Sequence, residues 1–159
     1  MNSISFIPEL TLLNKLPESK LPELKELCTH VNETESMLAA FWHASPVLSC
    51  VAKDGIFIKV NPFWTKTLGW TEEELLSTPY KEFVHPDDLA PTTKIEKILS
   101  DDFRVYSFKN RYKHKFHDKY ILIEWYASQD THNGIIYATG IDRSNEQNQG
   151  PTRDVSFSK

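Results

Sequence analysis

The strongest constraint on the fold comes late in the chain, where two successive β-type runs are apolar on both faces. In residues 120–128, Ile121, Ile123 and Trp125 share one face while Tyr120 and Leu122 share the other. In residues 135–142, Ile135, Tyr137 and Ile141 oppose Ile136 and Ala138. Side chains alternate across a strand, and an antiparallel sheet with one wet face alternates apolar with polar. These runs predict a sheet covered on both sides. A third run over 105–112 completes a three-strand block, and the rest of the chain must supply the covers.

The upstream sequence offers two kinds of cover. Residues 21–44 read as a helix: Pro22 suits a first helical position, and Leu24, Leu27, Val31, Leu38 and Phe41 recur at three- and four-residue spacings, with Trp42 beside them. A strict seam through Leu24, Cys28, Val31, Glu35, Leu38 and Trp42 is interrupted by Glu35. The stripe therefore serves either as a cover for its own domain or as a seam shared with a second copy. Between this helix and the strands lies a run of short elements. Residues 47–52 and 56–60 predict a hairpin turning at Asp54-Gly55. Residues 63–70 close as a helical turn. Thr71 and Glu74 form a capping box, and His85-Pro86-Asp87-Asp88 opens a helix carrying Leu89, Ile95, Ile98 and Leu99. Residues 1–20, with Pro8 and Pro17, read as an irregular arm. Residues 147–159, interrupted by Gly150-Pro151, read as a disordered tail.

Composition closes off several classes. Apolar residues are 40% and aromatics 12% of the 159, too many for a chain disordered throughout. A net charge of -4 opposes general nucleic-acid binding, which needs a positive field. Two cysteines make no disulfide framework. No apolar stretch approaches a membrane span and the first residues lack a basic region, so the expected location is the cytoplasm, with no membrane partner.

The order of short motifs is the informative feature. Ser45-Pro46, Asp54-Gly55, Val60-Asn61-Pro62, Leu68-Gly69-Trp70-Thr71, Glu73-Glu74-Leu75, His85-Pro86-Asp87-Asp88, Phe108 to Tyr112, Glu124-Trp125 and Tyr137 to Asp142 follow one another over about residues 41–146. This set resembles the PAS domain, in the form found as the input domain of bacterial sensor histidine kinases and diguanylate cyclases. The resemblance implies an α+β fold over 45–146. Its sheet is five-stranded and antiparallel, with short helices on one face and the 21–44 helix on the other or at a dimer interface. It implies a small cavity between sheet and helices, for which Val51, Ile58, Val60, Phe63, Leu68, Leu75, Phe83, Ile95, Tyr106, Phe108 and Ile123 are the candidate lining. It also implies a homodimer, a protein partner in a signalling pathway, and a signalling exit at Asp142, where Asp142-Arg143-Ser144 departs from the family's DIT-type triplet.

The residues themselves argue against the usual added chemistries. The resembled heme proteins take an axial His from the long helix, and residues 87–99 contain none; His85 is expected to cap a turn. The flavin-adduct branch carries a Cys where this chain reads TPYKEFV over 78–84. No cofactor is expected, neither heme nor flavin. His114 and His117 have metal-ligand spacing but no completing Cys or acid, so no metal is expected. Lys109, Arg111, Lys113, His114, Lys115, His117 and Lys119 crowd one hairpin, a surface better suited to an acidic protein than to nucleic acid. No nucleophile elbow, P-loop or zinc-protease motif occurs, so the expected function is a non-enzymatic sensory or protein-interaction module with a possible small apolar ligand. The alternatives are the input fragment of a sensor histidine kinase or diguanylate cyclase whose catalytic domain lies outside this chain, or a PAS-containing transcription regulator.

Overall fold

The computed structural model describes residues 21–101, 104–146 and 156–158; the arm expected over 1–20 and most of the tail expected over 147–159 lie outside them. The chain divides into two units, Met1–Phe41 and Trp42–Lys159. In the first, helix α1 covers Leu21–Ala44, its last turn reaching into the second unit. Its bounds are those the spacing predicts. Glu23 in the first turn and His43 in the last match the sign of the helix dipole. Along the stripe Leu27, Val31 and Leu38 are exposed, and Phe41 is 71% exposed. Leu24's side chain lies outside the described residues. Trp42 is half-buried, with the Lys59 ammonium 5.2 Å above its ring.

The second unit begins with the hairpin β1 (Leu48–Lys53) and β2 (Ile56–Val60). Asp54 and Gly55 join them with φ 51 and 82, the left-handed pair a two-residue hairpin turn requires. Helix α2 (Phe63–Leu68) ends at Gly69, which is left-handed at φ 81. Helix α3 (Glu72–Ser77) opens on the predicted capping box: Glu74 N donates to Thr71 Oγ1 and Thr71 N donates back to Glu74 Oε2. Two 3₁₀ turns follow, Tyr80–Phe83 and Pro86–Asp88, the second capped by His85 Nδ1, which accepts from Asp87 N at 3.2 Å. Helix α4 (Leu89–Ser100) carries Pro91 in its first turn, where a missing N–H costs nothing. Strands β3 (Arg104–Lys113), β4 (Tyr120–Asp130) and β5 (Ile135–Asp142) come next, then a 3₁₀ turn, Ser144–Glu146, and β6 (Ser156–Ser158).

The strands form one antiparallel sheet in the order β2-β1-β5-β4-β3-β6. The five expected strands are all present. The sixth is a correction: residues 156–158, read from sequence as part of a disordered tail, pair with β3 as Arg104↔Ser158, Val105↔Phe157 and Tyr106↔Ser156. Without them β3 would be an edge strand with unpaired backbone groups.

The core lies between the inner sheet face and the short helices. Trp64 is fully buried at its centre; its indole donates to Ser49 O at 3.0 Å, and Phe57, Tyr112 and Trp125 ring it at 4.7–5.8 Å. Asn61, after β2, holds the sheet end by accepting from Ser49 N and donating to Val47 O. Residues 121–125 of β4 are all buried, so the two-sided cover read from them holds there. It fails farther along: Tyr126 and Tyr137 are exposed on the outer face. Phenolic tips tolerate water, and around them lies an open hollow of about 410 Å³ bordered by Trp42, Val51, Arg104 and Tyr106.

Candidate functional site

Burial on β3 and β4 sets up the inner site. Asn110, 2% exposed, stands among apolar neighbours and must find partners for its amide. Its Oδ1 accepts from Trp125 Nε1 at 2.7 Å, and its Nδ2 donates to Thr92 Oγ1 at 3.0 Å. Thr92 donates in turn to the Asp88 backbone carbonyl at 2.7 Å. The Asp88 carboxylate receives Arg111 three times: backbone N at 2.8 Å, Nε at 2.9 Å and a terminal nitrogen at 2.7 Å. Burial acts to raise the Asp88 carboxyl, but the Arg111 hydrogen bonds overcome it and hold it below the ordinary carboxylate value. This chain of bonds locks α4 to β3 and β4.

Beside that lock is an apolar cavity of about 80 Å³. Its floor is the inner sheet face, with Ala52, Phe57, Phe108 and Trp125; its roof is Ile95 and Leu99 of α4. Asn110, Thr92, Tyr80 and Glu96 put the polar atoms on its wall. The Tyr80 hydroxyl donates to Glu96 Oε1 at 2.6 Å, and Lys81 pairs with the same carboxylate at 2.6 Å. Burial and the bond to Glu96 push the Tyr80 phenol well up. Cys50 also borders the cavity; burial pushes its thiol up to about 12, so it stays protonated at neutral pH and supplies no thiolate. The volume suits a molecule of a few heavy atoms, well below the roughly 300–1,000 Å³ of drug-sized sites.

The candidate lining read from sequence is only partly brought together. Ile95 and Phe108 border the cavity. Val60, Leu68, Leu75, Phe83 and Ile123 are buried in the core behind it, with Phe63 packed at the core's margin. Three expectations are corrected. Val51 faces the outer hollow because Cys50 and Ala52 take the inner face. Ile58 is 49% exposed: β1–β2 pairing passes from Val51↔Lys59 to Ala52↔Phe57, leaving Ile58 as the extra residue of a bulge. Tyr106 is turned outward by a second bulge, where β3–β4 pairing passes from Val105↔Ala127 to Phe108↔Trp125. Ser107 sits in that bulge with φ 61, a sterically costly conformation for a residue other than glycine. The lining outside that candidate list includes large residues, Phe57, Tyr80, Leu99, Tyr112 and Trp125, as well as small and polar ones, Ala52, Thr92, Glu96 and Asn110.

At the end of β5, Asp142 bonds forward along the chain. Its Oδ1 accepts from Ser144 N at 2.8 Å and from the Ser144 hydroxyl, shaping the turn. Next to it, Arg143 Nε donates to buried Glu124 Oε2 at 2.8 Å. Glu124 also receives the Ser107 hydroxyl. Burial acts to raise the Glu124 carboxyl; Ser107 and Arg143 outweigh it and leave it lowered.

The basic hairpin is largely neutralised where it meets the helices. Arg111 pairs with Asp88, and Lys115 reaches Glu74 at 2.6 Å while lying 5.7 Å over the Trp70 ring. The His114 and His117 rings lie 4.5 Å apart, but His114 Nδ1 already accepts from Phe116 N at 3.2 Å. Partial burial, then the neighbouring His117 and Lys119, lower the His114 value. Among the described residues no group of three or more His, Cys, Asp or Glu could hold a metal, and no helix is long and apolar enough to cross a membrane.

A family model described as PAS fold matches residues 57–141. Over 85 residues the chain is 26% identical to the probable diguanylate cyclase DgcE of Escherichia coli (strain K12), covering 52% of this chain and 8% of that protein. Among solved structures, the PAS domain of an HTR-like protein from Haloarcula marismortui is similar at a TM-score of 0.60 and 23% identity, over 74% of this chain and 98% of that one. A domain of the sensory box sensor histidine kinase/response regulator from Geobacter sulfurreducens gives 0.60 and 14%, over 70% and 96%.

Proposed function

The chain belongs to the PAS fold family, and from that premise we propose that it is a non-enzymatic sensory module that binds a small amphipathic molecule and signals through protein contacts. The cavity between α4 and the sheet carries this reading. Its wall is apolar, and its few polar atoms, on Thr92, Asn110, Tyr80 and Glu96, belong to the hydrogen bonds that hold α4 in place. A molecule that bonds to any of these atoms competes with the lock, so occupancy acts on the helix and on β3 together. The nearby thiol and phenols are held protonated, which favours binding over covalent chemistry. The site works in the cytoplasm in this proposal, and a second copy meets the chain through the exposed stripe of α1. The test is native mass spectrometry of protein isolated from its own host. A retained adduct of small mass, absent in Ala52→Leu, supports the reading; adduct-free protein that also fails to shift its melting point with any small alcohol, acid or amide speaks against it.

The match to a short part of a diguanylate cyclase favours a second reading, in which this module is the input part of a longer signalling chain. Sequencing the reading frame on both sides distinguishes the two.

A further inference from the structure

On the proposal that the inner cavity binds a small molecule, one more polar group on its wall says which kind. Tyr112 follows Phe108 and Asn110 on the inward side of β3 and lines the cavity while being only 4% exposed. Its ring is held between Trp64 and Trp125, at 5.8 and 5.6 Å, and its backbone is held by the bridge to Val84. A buried phenol ordinarily finds a hydrogen-bond partner, yet among the described residues none takes the Tyr112 hydroxyl. The other two hydroxyls on the wall are committed, Tyr80 to Glu96 Oε1 and Thr92 to the Asp88 carbonyl. We propose that the Tyr112 hydroxyl is the anchor of the cavity, donating to a carbonyl or hydroxyl oxygen on a small neutral molecule with a short hydrocarbon body.

The surroundings of that hydroxyl select the class. Among the described residues, no Lys, Arg or His lines the cavity. An anion entering it would lose its water without gaining a counter-charge, and the Glu96 carboxylate on the wall would repel it. A cation gains little from Glu96, because Oε1 already accepts from Tyr80 and Oε2 already pairs with Lys81. Burial, then the Cys50 thiol, the Tyr80 phenol and Glu96, push the Tyr112 phenol up, so it remains a neutral donor at neutral pH. The rest of the wall is hydrocarbon, which suits an apolar body. Held there, the molecule bonds β3 through Tyr112 and rests its hydrocarbon part on Ile95 and Leu99 of α4. The Asn110–Thr92 and Tyr80–Glu96 bonds stay unbroken.

The test uses the full chain and its Tyr112→Phe variant, which removes the hydroxyl and keeps the ring. Three probes are compared: butanone, neutral with a carbonyl acceptor; propionate, of the same size but charged; and xenon, which enters apolar cavities without hydrogen bonds. Nuclear magnetic resonance at the indole N–H of Trp125, a residue on the cavity floor, follows the binding. Butanone should bind the wild type about tenfold more tightly than propionate does. Tyr112→Phe should weaken butanone about fivefold, the effect of one neutral hydrogen bond, and leave xenon unchanged. With no probe added, the variant should melt at or above the wild-type temperature, because an unpartnered buried hydroxyl costs stability. Should circular dichroism show Tyr112→Phe unfolded, wild type labelled with ¹³C at tyrosine Cζ reports directly: the Tyr112 signal should move farther with butanone than with xenon, and equal movement would refute the anchor. Equal butanone affinity in wild type and variant, propionate as tight as butanone, or a variant that melts lower on its own would overturn the proposal. So would xenon binding without butanone binding. If neither butanone nor xenon binds the wild type, the reading of the cavity as a binding site falls as well.

Discussion

Glu124 shows how one buried carboxylate can serve two elements. It receives Ser107 from β3 and Arg143 from the exit, and its lowered value sets the sign of a pH effect. A carboxyl lowered on folding adds stability above its unfolded value, and loses that contribution as pH falls through the folded one. Glu124→Gln should therefore cost about 1–3 kcal/mol at pH 7, as expected for a hydrogen bond to a charged group. The deficit against wild type should shrink below about pH 4.5. Thermal melts of both proteins from pH 7 to pH 3 check this; a constant deficit would show that the charge contributes nothing. At the cavity, Ala52→Leu adds volume where a small residue borders the space. It should cost about 1–3 kcal/mol through overpacking and remove any retained ligand. Residue by residue, the sequence told which side chains are apolar, and of its candidate lining Phe108 and Ile95 border the cavity. It could not tell which apolar residues end flush in the core and which border a void, since that depends on the small neighbours Ala52 and Ala138.

Apart from β6, strands and helices were legible almost to their bounds, because period and caps are local properties. The helix over 21–44, the capping box at Thr71, the His85 cap and the turn at Asp54-Gly55 all follow from residues within a few positions of one another. The two β-bulges were not. A bulge inserts one residue and reverses which parity faces inward, and neither Ile58 nor Ser107 is a residue type that announces one. Every error of facing in the candidate lining on β2 and β3 comes from these two sites. The sheet interior makes a further prediction at the element scale. A Cβ at Gly140 would meet Ile123 Cγ2 and Trp125 Cζ3 at 2.7 Å. Those atoms belong to packed core side chains, so Gly140→Ala should lower stability by about 1–3 kcal/mol. Gly55→Ala finds nothing within 4 Å and meets only its left-handed backbone, at about 1–2 kcal/mol. Chemical denaturation of the two variants compares steric and conformational cost directly.

At the scale of the molecule, α1 carries a set of exposed apolar side chains. Leu27, Val31, Met37, Leu38 and Phe41 together are more large apolar side chains than an isolated helix ordinarily leaves in water. If the proposed dimer forms through this helix, Leu38→Glu should shift sedimentation from dimer to monomer without altering the melt of the second unit; an unchanged mass would remove the helix from the assembly. One consequence of the sheet order concerns force. The exit strand β5 lies in the middle of the sheet, bonded to β1 on one side and β4 on the other. A pull along the chain at Asp142 therefore loads two ladders in shear, so their hydrogen bonds must break together, not one after another as when an edge strand is peeled. The end of β5 is therefore a mechanically stiff point of the sheet.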